Sequence, residues 1–211
     1  KGIIRIHHGL CEYSERYKKF AEYLSHEGFI VVVSDFPGHG TSLYKFEQGY
    51  FGKGNALDTL VEDIQRLRHI ITKRYEDLPY FMLGVDLGSL VLLKYAGVYG
   101  DYINGMILLG TCMKNSFYYR MKMIVDFNIL LHGQMNHSRV IKKAIDLFLQ
   151  RNLNGNYKMT NTKEVNLYME DPLTDFVYTN QAYRDILDYI KYTSDEEHLK
   201  QIPQYLPVYL L

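Results

Sequence analysis

The sequence predicts an α/β fold, a mostly parallel and doubly wound sheet that carries an inserted helical segment. Short apolar runs alternate with helical repeats as far as Thr111, and the links between them are short. This strand rhythm stops after Thr111 and returns in a last apolar run at residues 206–211. Because parallel strands need helical crossovers, the alternation favours a parallel sheet with helices on both faces.

The first strand, helix and strand are predicted in the opening segment. Ile3 to Ile6 forms a short strand that runs into His7-His8-Gly9, and Phe29 to Val33 is an unbroken apolar run. Such a run is typical of a parallel strand buried on both faces. Between the strands, Ser14 is predicted to cap a helix and Gly28 to end it. The apolar face of this helix has the spacing i, i+3, i+4, i+7 and consists of Tyr17, Phe20, Ala21 and Leu24.

The next elements repeat this pattern. A long helix with one apolar stripe is followed by an apolar strand that includes Tyr80 to Leu83, and a second helix extends to about Tyr99. Ile103 to Leu109 is predicted as the fourth strand. Links this short place successive elements side by side, which favours the doubly wound arrangement. The stripe of the long helix consists of Leu57, Leu60, Val61, Ile64, Leu67 and Ile71.

After Thr111 only helical stretches are predicted until about residue 180. Phe117 to His132 is largely apolar, and this segment is either a helix that packs into the core or a lid helix that turns an apolar face to a lipidic substrate. A return helix at Gln181–Tyr192 and a strand at Leu206–Leu211 complete the pattern. We therefore divide the chain into residues 1–112 (first part of the core), 113–180 (helical insertion) and 181–211 (return of the core).

Composition excludes several classes of function. The 24 basic and 24 acidic residues balance, so no net field directs the chain towards nucleic acid. No stretch has the pattern of a secretion signal, and no apolar run approaches the roughly 20 residues needed to span a bilayer. Cys11 and Cys112 adjoin apolar strands, and we expect them to be thiols of a reducing compartment. These observations predict a cytoplasmic protein.

The most informative motif is Gly84-Val85-Asp86-Leu87-Gly88, which lies between a predicted strand and a predicted helix. A G-x-S-x-G sequence in this context is a nucleophile elbow, and its central residue is usually serine. The central residue here is Asp86. Aspartate tolerates positive φ better than most residues, and the start of the following helix favours an anion. We therefore expect the turn to be retained, with the Asp86 carboxylate beside the backbone N–H groups of the site.

Four motifs in order carry a resemblance to a known family. HHGLCEYSERY, GFIVVVSDFPGHGTS, the elbow and INGMILLGT, with a later Asp171-Pro172-Leu173, resemble the α/β-hydrolases of the monoacylglycerol lipase and lysophospholipase-like group (serine aminopeptidase S33-type). The resemblance implies the α/β-hydrolase fold, with a helical cap formed by the insertion. It also implies a serine hydrolase ancestry that acts on monoacylglycerol or lysophospholipid esters. No cofactor and no metal are implied.

The resemblance also assigns roles to single residues. The backbone N–H groups of Leu10 and Leu87 would form the oxyanion hole, with His8, Gly9, Gly84 and Gly88 as support for the loop and elbow. Hydrolysis of an ester needs such donors because the tetrahedral intermediate carries a negative oxygen. The following loop departs from the family, since Cys11 replaces the usual glycine and Tyr13 the usual histidine.

Asp35 and His39 are close in sequence and invite a catalytic assignment. We interpret D-x-x-G-H-G-x-S as a structural loop instead, as it is in the family that the chain resembles. A zinc site formed by His7, His8 and His39 is disfavoured, because no thiolate or carboxylate has the spacing of a ligand.

Asp86 at the nucleophile position leaves three functional hypotheses. The first is an ester hydrolase that is impaired because Asp86 replaces serine and because the catalytic acid and histidine are missing from these 211 residues. The resemblance places that acid and histidine in stretches beyond Leu211. The second is an aspartate nucleophile, as in haloalkane dehalogenases and epoxide hydrolases, aided by tyrosines such as Tyr118, Tyr119 and Tyr178. Those enzymes resemble G-x-D-W-G, whereas this chain has Leu87 and no tryptophan.

The third hypothesis is a non-catalytic module that binds an acyl chain or another protein. The partner we expect overall is a lipid-like ester or acyl chain, with transient contact to a membrane surface and none to nucleic acid. We expect the largest apolar cavity between Asp86 and the helix near Phe117–Leu131, because ligands bind at the carboxyl ends of parallel strands.

Overall fold

The computed structural model describes residues 1–44, 47–112, 116–152 and 162–211. Within these ranges the chain forms one sheet with helices packed against it. The strands are β1 (Gly2–His7), β2 (Phe29–Val33), β3 (Tyr80–Val85), β4 (Gly105–Leu109) and β5 (Val208–Leu210). The helices are α1 (Lys18–His26), α2 (Ala56–Arg74), α3 (Leu87–Tyr99), α4 (Ser116–His132), α5 (Arg139–Asn152), α6 (Thr162–Glu170), α7 (Asn180–Thr193) and α8 (Glu196–Leu199).

All the strand pairs are parallel, and the order of the strands is β2-β1-β3-β4-β5. The register places His7 opposite Gly84 and Val85 opposite Leu109, so three strands end at one level. The predicted parallel sheet and the positions of its strands are therefore confirmed. This common edge, where the carboxyl ends of the strands meet, carries the loops that form the candidate site.

The segment before α1 differs from the prediction. Ser14 does not cap the helix but begins a 3₁₀ turn at Ser14–Tyr17, and α1 starts only at Lys18 without a side-chain cap. The Ser14 N–H donates to Oδ1 of Asp35 at 2.6 Å, so the serine is fixed by the neighbouring loop. Gly28 ends α1 with φ of +88°, as predicted.

Strand β2 is only partly buried, so the prediction of a strand buried on both faces is wrong. Within the described residues β2 pairs with β1 alone and lies at the edge of the sheet. Its apolar residues therefore lack a neighbouring strand on one side. An unbroken apolar run predicts a strand here but does not distinguish a central strand from an edge strand.

The core lies between the sheet and helices α2, α3 and α7. Helix α3 is buried along most of its length and packs against β3, α2 and α7. The predicted stripe of α2 is confirmed, with Leu67 partly buried and the other members buried. The return helix α7 is capped by Thr179, whose hydroxyl accepts from the Ala182 N–H at 3.1 Å.

The elements described between β4 and α7 are the helices α4, α5 and α6, as predicted, and the bounds 113–180 of the insertion stay a prediction. Helix α4 buries Tyr118, Met121 and Val125 and packs against α7, which confirms the core-packing interpretation for one face. The opposite face exposes Tyr119, Met123, Phe127, Leu130 and Leu131. None of the helices in the described part of the chain has both the length and the apolar character to cross a membrane.

Candidate active site

The turn between β3 and α3 holds Asp86 in a rare backbone conformation. Its φ and ψ are 48° and −109°, which costs a non-glycine residue about 1–3 kcal/mol. Three hydrogen bonds fix the turn: the Asp86 N–H donates to the Leu109 carbonyl at 2.8 Å, and the Asp86 carbonyl accepts from the Ser89 N–H at 3.0 Å and hydroxyl at 2.6 Å. The predicted strand, turn and helix are therefore present, with Asp86 at positive φ. A nucleophilic role for Asp86 stays a prediction.

The two glycines of the motif allow the strand and the helix to approach closely. A Cβ on Gly84 would lie 2.7 Å from the carbonyl carbon and oxygen of Gly88. A Cβ on Gly88 would lie 2.4 Å from the carbonyl oxygen of His7, at the end of β1. No other residue fits at either position without moving backbone atoms. The glycines thus set the height of Asp86 above the sheet.

The structure brings Leu10, Asp86 and Leu87 together. The Leu10 N–H donates to Oδ2 of Asp86 at 3.2 Å. Leu87 is the first residue of α3, so its N–H is one of the helix's initial donors, which have no acceptor within the helix. The Asp86 carboxylate therefore already accepts from one of the two predicted donors, and the other belongs to the next residue in the chain. The assignment of these donors as an oxyanion hole stays a prediction.

Glu12 holds the loop that contains Leu10. Its Oε2 accepts from the Gly9 N–H at 3.2 Å and from the Tyr17 hydroxyl at 2.8 Å. The Arg16 Nε lies 3.8 Å from Oε1 of the same carboxylate. Burial raises the pKa of the Tyr17 hydroxyl, and the charge of Glu12 adds to this effect. Tyr17 therefore remains a neutral donor to Glu12.

His8 supports the same loop through both ring nitrogens. Nε2 accepts from the Phe36 N–H at 3.0 Å, so Nδ1 carries the proton and donates to the Gly9 carbonyl at 2.9 Å. Burial lowers the pKa of His8, which keeps the ring neutral. With both nitrogens bonded in this way, His8 connects two loops, and its role in support of an oxyanion hole stays a prediction.

Tyr178 connects the loop to a second histidine. Its hydroxyl accepts from the Cys11 N–H at 2.9 Å and donates to Nε2 of His39 at 2.8 Å. Nδ1 of His39 then donates to the Pro37 carbonyl at 2.9 Å, and burial lowers the pKa of His39 to about 3. The Tyr178 hydroxyl is buried and donates its only proton to His39, so the interpretation of Tyr178 as a group that polarises an epoxide is wrong.

Two departures in the loop have visible consequences. Cys11, which replaces a glycine in the motif that the chain resembles, adopts φ of +52°, and its thiol donates to the Phe176 carbonyl at 3.3 Å. Tyr13 donates its hydroxyl to Oδ2 of Asp171 at 2.7 Å, and this bond together with burial raises the pKa of Tyr13 to about 12. Both substitutions tie the loop to the segment that precedes α7.

Asp35 has a structural role, as predicted. Its carboxylate accepts from the N–H groups of Ser14 and Thr41 at 2.6 and 2.8 Å and from the Thr41 hydroxyl at 2.8 Å. Burial alone would raise the pKa of this carboxyl, but the hydrogen bonds outweigh burial and lower it. Among the described residues no group of three histidine, cysteine or acidic side chains has the arrangement of a metal site.

Two surface clefts lie away from the elbow. The larger, of about 460 Å³, lies between the 3₁₀ turn and α6 and has a charged lining. The other, of about 220 Å³, is lined by β1, α2 and the loop after β2, and includes the buried Arg5. Neither is the apolar cavity predicted between Asp86 and α4, which stays a prediction.

Comparison with known proteins identifies the family. Residues 1–210 match the family model described as "Serine aminopeptidase, S33". The chain belongs to this family. The resemblance stated from the sequence is thereby confirmed, and the chain is a monoacylglycerol lipase-like and esterase-like α/β-hydrolase.

The individual relatives are only distantly similar to this chain in sequence. Monoglyceride lipase of Mus musculus is 29% identical over 109 residues, which cover 52% of this chain and 34% of the relative. Phospholipase YtpA of Bacillus subtilis is 34% identical over 113 residues, 53% of this chain and 40% of the relative. A thermostable carboxyl esterase from Bacillus coagulans superimposes with a TM-score of 0.85 at 24% identity, over 99% of this chain and 69% of that one. This likeness shows the fold, and the matched regions span well under half of the two relatives.

Sequence reasoning missed the residues that hold the loop in place. From the sequence, Glu12 is only a position in a motif, and Tyr178 is considered only as a tyrosine that could polarise an epoxide. No local signal connects Tyr178 with Cys11, because 166 residues separate them in the chain and their contact exists only in the folded protein. Glu12 is different: its place three residues after Gly9 could have indicated a bond back to the Gly9 N–H.

Proposed function

We propose that this chain binds neutral acyl esters at the elbow and that Asp86 impairs their hydrolysis. The observation that carries the proposal is the 3.2 Å hydrogen bond from the Leu10 N–H to Oδ2 of Asp86. A substrate's carbonyl oxygen would have to approach the same N–H group. In this protein the carboxylate is an internal competitor for that position.

Two physical effects oppose hydrolysis through Asp86. A negative oxygen that develops in the tetrahedral intermediate would meet the negative carboxylate instead of a free donor, and one such donor contributes about 3–4 kcal/mol in measured enzymes. Attack by the carboxylate itself on an ester would produce a mixed anhydride, which is a high-energy product. The proposal therefore combines retained ester recognition with impaired chemistry.

The acyl-lipid nature of the ligand is supported by the relatives and by α4. The relatives include monoglyceride lipases and a phospholipase. The exposed face of α4 presents Met123, Phe127 and Leu130, which would contact an acyl chain or a lipid surface. We propose that residues 113–180 form a cap with this face, and that the protein acts in the cytoplasm, where its two thiols would remain reduced.

The proposal is tested with two fluorescent ligands that differ in one group. A monoacylglycerol contains the ester carbonyl, and the matching monoalkylglycerol ether lacks it. The parent protein should bind both with similar affinity and release no glycerol. Asp86→Gly removes the competing carboxylate and relieves the positive φ, so ester binding should improve by about two- to tenfold over ether binding, the value of one neutral hydrogen bond.

Asp86→Asn is the matched control, since asparagine keeps an acceptor oxygen near the Leu10 N–H and also tolerates positive φ. It should show little preference for the ester. Equal affinities in Asp86→Gly would contradict the proposal. If the parent protein opens an epoxide and the Asp86→Asn variant does not, the aspartate-nucleophile hypothesis is correct instead.

A further inference from the structure

We infer that Tyr178 is a positioning residue for the Leu10 N–H, and that it couples this donor to the segment that precedes α7. The inference rests on the proposed ester recognition, because it concerns the orientation of the donor at that site. Tyr178 does not touch the ligand position. It acts through the backbone of Cys11, the residue that follows Leu10.

The backbone around Leu10 is fixed on both sides. Before it, the Gly9 N–H is held by Glu12 and the Gly9 carbonyl by His8. After it, the Cys11 N–H is held by the Tyr178 hydroxyl at 2.9 Å. With the preceding and following N–H groups directed into the protein, the Leu10 N–H is directed at the elbow. Loss of the Tyr178 hydroxyl would release the second of these two fixed points.

Tyr178 can hold the Cys11 N–H in place because the tyrosine side chain is itself held in place. The side chain is 2% exposed, and its hydroxyl is oriented by donation to His39. A neutral His39 is required for this orientation, since Nε2 must accept, and the low pKa of His39 ensures it. The left-handed backbone of Cys11 would otherwise tend to relax, because φ of +52° is unfavourable for a residue with a side chain.

The segment 176–179, here called the strap, contacts both the loop around Cys11 and His137, which lies between α4 and α5. Cys11 bonds the strap twice, through its N–H to Tyr178 and through its thiol to the Phe176 carbonyl. On the other side, Nδ1 of His137 lies 2.7 Å from the Val177 carbonyl, and His137 pairs with Thr179 in an isolated β-bridge. A displacement of the helices around His137 would therefore move the strap and with it the Leu10 N–H.

The chain offers a matched control in Tyr189. Both tyrosines are buried, and both rings pack on Phe51, with centroids 5.8 Å away for Tyr178 and 5.9 Å for Tyr189. The Tyr189 hydroxyl has no partner among the described residues. Replacement of either tyrosine by phenylalanine removes one buried oxygen from the same aromatic cluster, but only Tyr178→Phe breaks a bond to the loop.

The test measures amide hydrogen exchange at Cys11 and ligand preference in the full chain. Tyr178→Phe should accelerate exchange at Cys11 about tenfold, as expected for loss of one buried hydrogen bond, whereas Tyr189→Phe should leave it unchanged. In the Asp86→Gly background, Tyr178→Phe should reduce the preference for the monoacylglycerol over the ether to less than about twofold. Ether affinity should stay constant, which a merely structural role would not predict.

The outcomes distinguish a failure of the inference about Tyr178 from a failure of the proposed function. If Asp86→Gly shows no ester preference, the proposed function is wrong, and exchange at Cys11 still decides the role of Tyr178. An ester preference that survives Tyr178→Phe, or a parallel loss of ester and ether affinity, overturns the inference. If Tyr178→Phe is too unstable to measure, the double variant with His39→Phe removes the orphaned imidazole and should show the same loss of preference.

Discussion

Replacement of Gly88 by alanine is expected to destabilise the protein because it separates α3 from β1. The added Cβ would lie 2.4 Å from the carbonyl oxygen, 2.8 Å from the carbonyl carbon and 2.9 Å from the Cβ of His7. Such a contact is roughly 1 Å too short, and the atoms it meets belong to a buried strand in the middle of the sheet. Relief therefore requires a shift of the helix as a whole.

Gly97→Ala is the matched control in the same helix. Its Cβ would lie 3.5 Å from the nearest atom, which is an ordinary contact. Alanine is favoured over glycine within a helix by about 1 kcal/mol, so this variant should be as stable as the parent or more stable. Overpacking at Gly88 should instead cost about 1–3 kcal/mol, offset only slightly by the same helical preference.

Urea unfolding followed by circular dichroism measures the difference. We expect the free energies of unfolding of the two variants to differ by about 2–4 kcal/mol at equal m-values, with Gly88→Ala the less stable. If Gly88→Ala were as stable as Gly97→Ala, the close approach of α3 to the end of β1 would be wrong. The height of Asp86 above the sheet would then need another explanation.

Two further predictions concern charge and surface. Burial raises the pKa of Asp185 from 3.8 to about 6. The contribution of the protonated carboxyl to the free energy of unfolding is therefore complete below about pH 4 and disappears as the pH rises through 6. Asp185→Asn should therefore be about 1–2 kcal/mol more stable than the parent at pH 8 and should lose this advantage at pH 4. Urea unfolding at each pH measures the two differences, and equal differences at both pH values would contradict the raised pKa of Asp185. Leu130→Asp, at a position 80% exposed, should weaken binding to vesicles with monoacylglycerol about fivefold or more without loss of stability, whereas Ile70→Asp on α2, 63% exposed, should not. Equal binding by both variants would argue against α4 as the lipid-facing helix.

The sheet and the elbow could be predicted because their signals are local. Alternating apolar runs and short links determine a parallel sheet, and two glycines around Asp86 determine the turn. The burial of β2 could not be predicted, since an apolar run does not reveal which strands will pair with it. The error at Ser14 has a similar origin, because its N–H is bound by Asp35 from a different loop.

The candidate site also has a part that could be predicted from the sequence and a part that could not. The resemblance to the family predicts that Asp86, Leu10 and Leu87 lie together, and the structure brings them together. The bond between Tyr178 and Cys11 depends on how the strap folds back over the loop, and no periodicity or turn signal encodes it. A sequence can therefore indicate which backbone groups face a site but not which distant side chains hold them there.

The most direct test of the central claim is hydrogen exchange at the Leu10 amide. The claim is that the Asp86 carboxylate occupies this donor in the folded protein. Exchange at Leu10 should be about ten- to a hundredfold faster in Asp86→Gly than in the parent, because a hydrogen bond to a charged group contributes about 1.5–3 kcal/mol. Asp86→Asn should lie between the two, because its acceptor is neutral and contributes about 0.5–1.5 kcal/mol. The same Leu10 exchange rate in the parent and in Asp86→Gly would show that the carboxylate does not hold the donor, and would contradict the account.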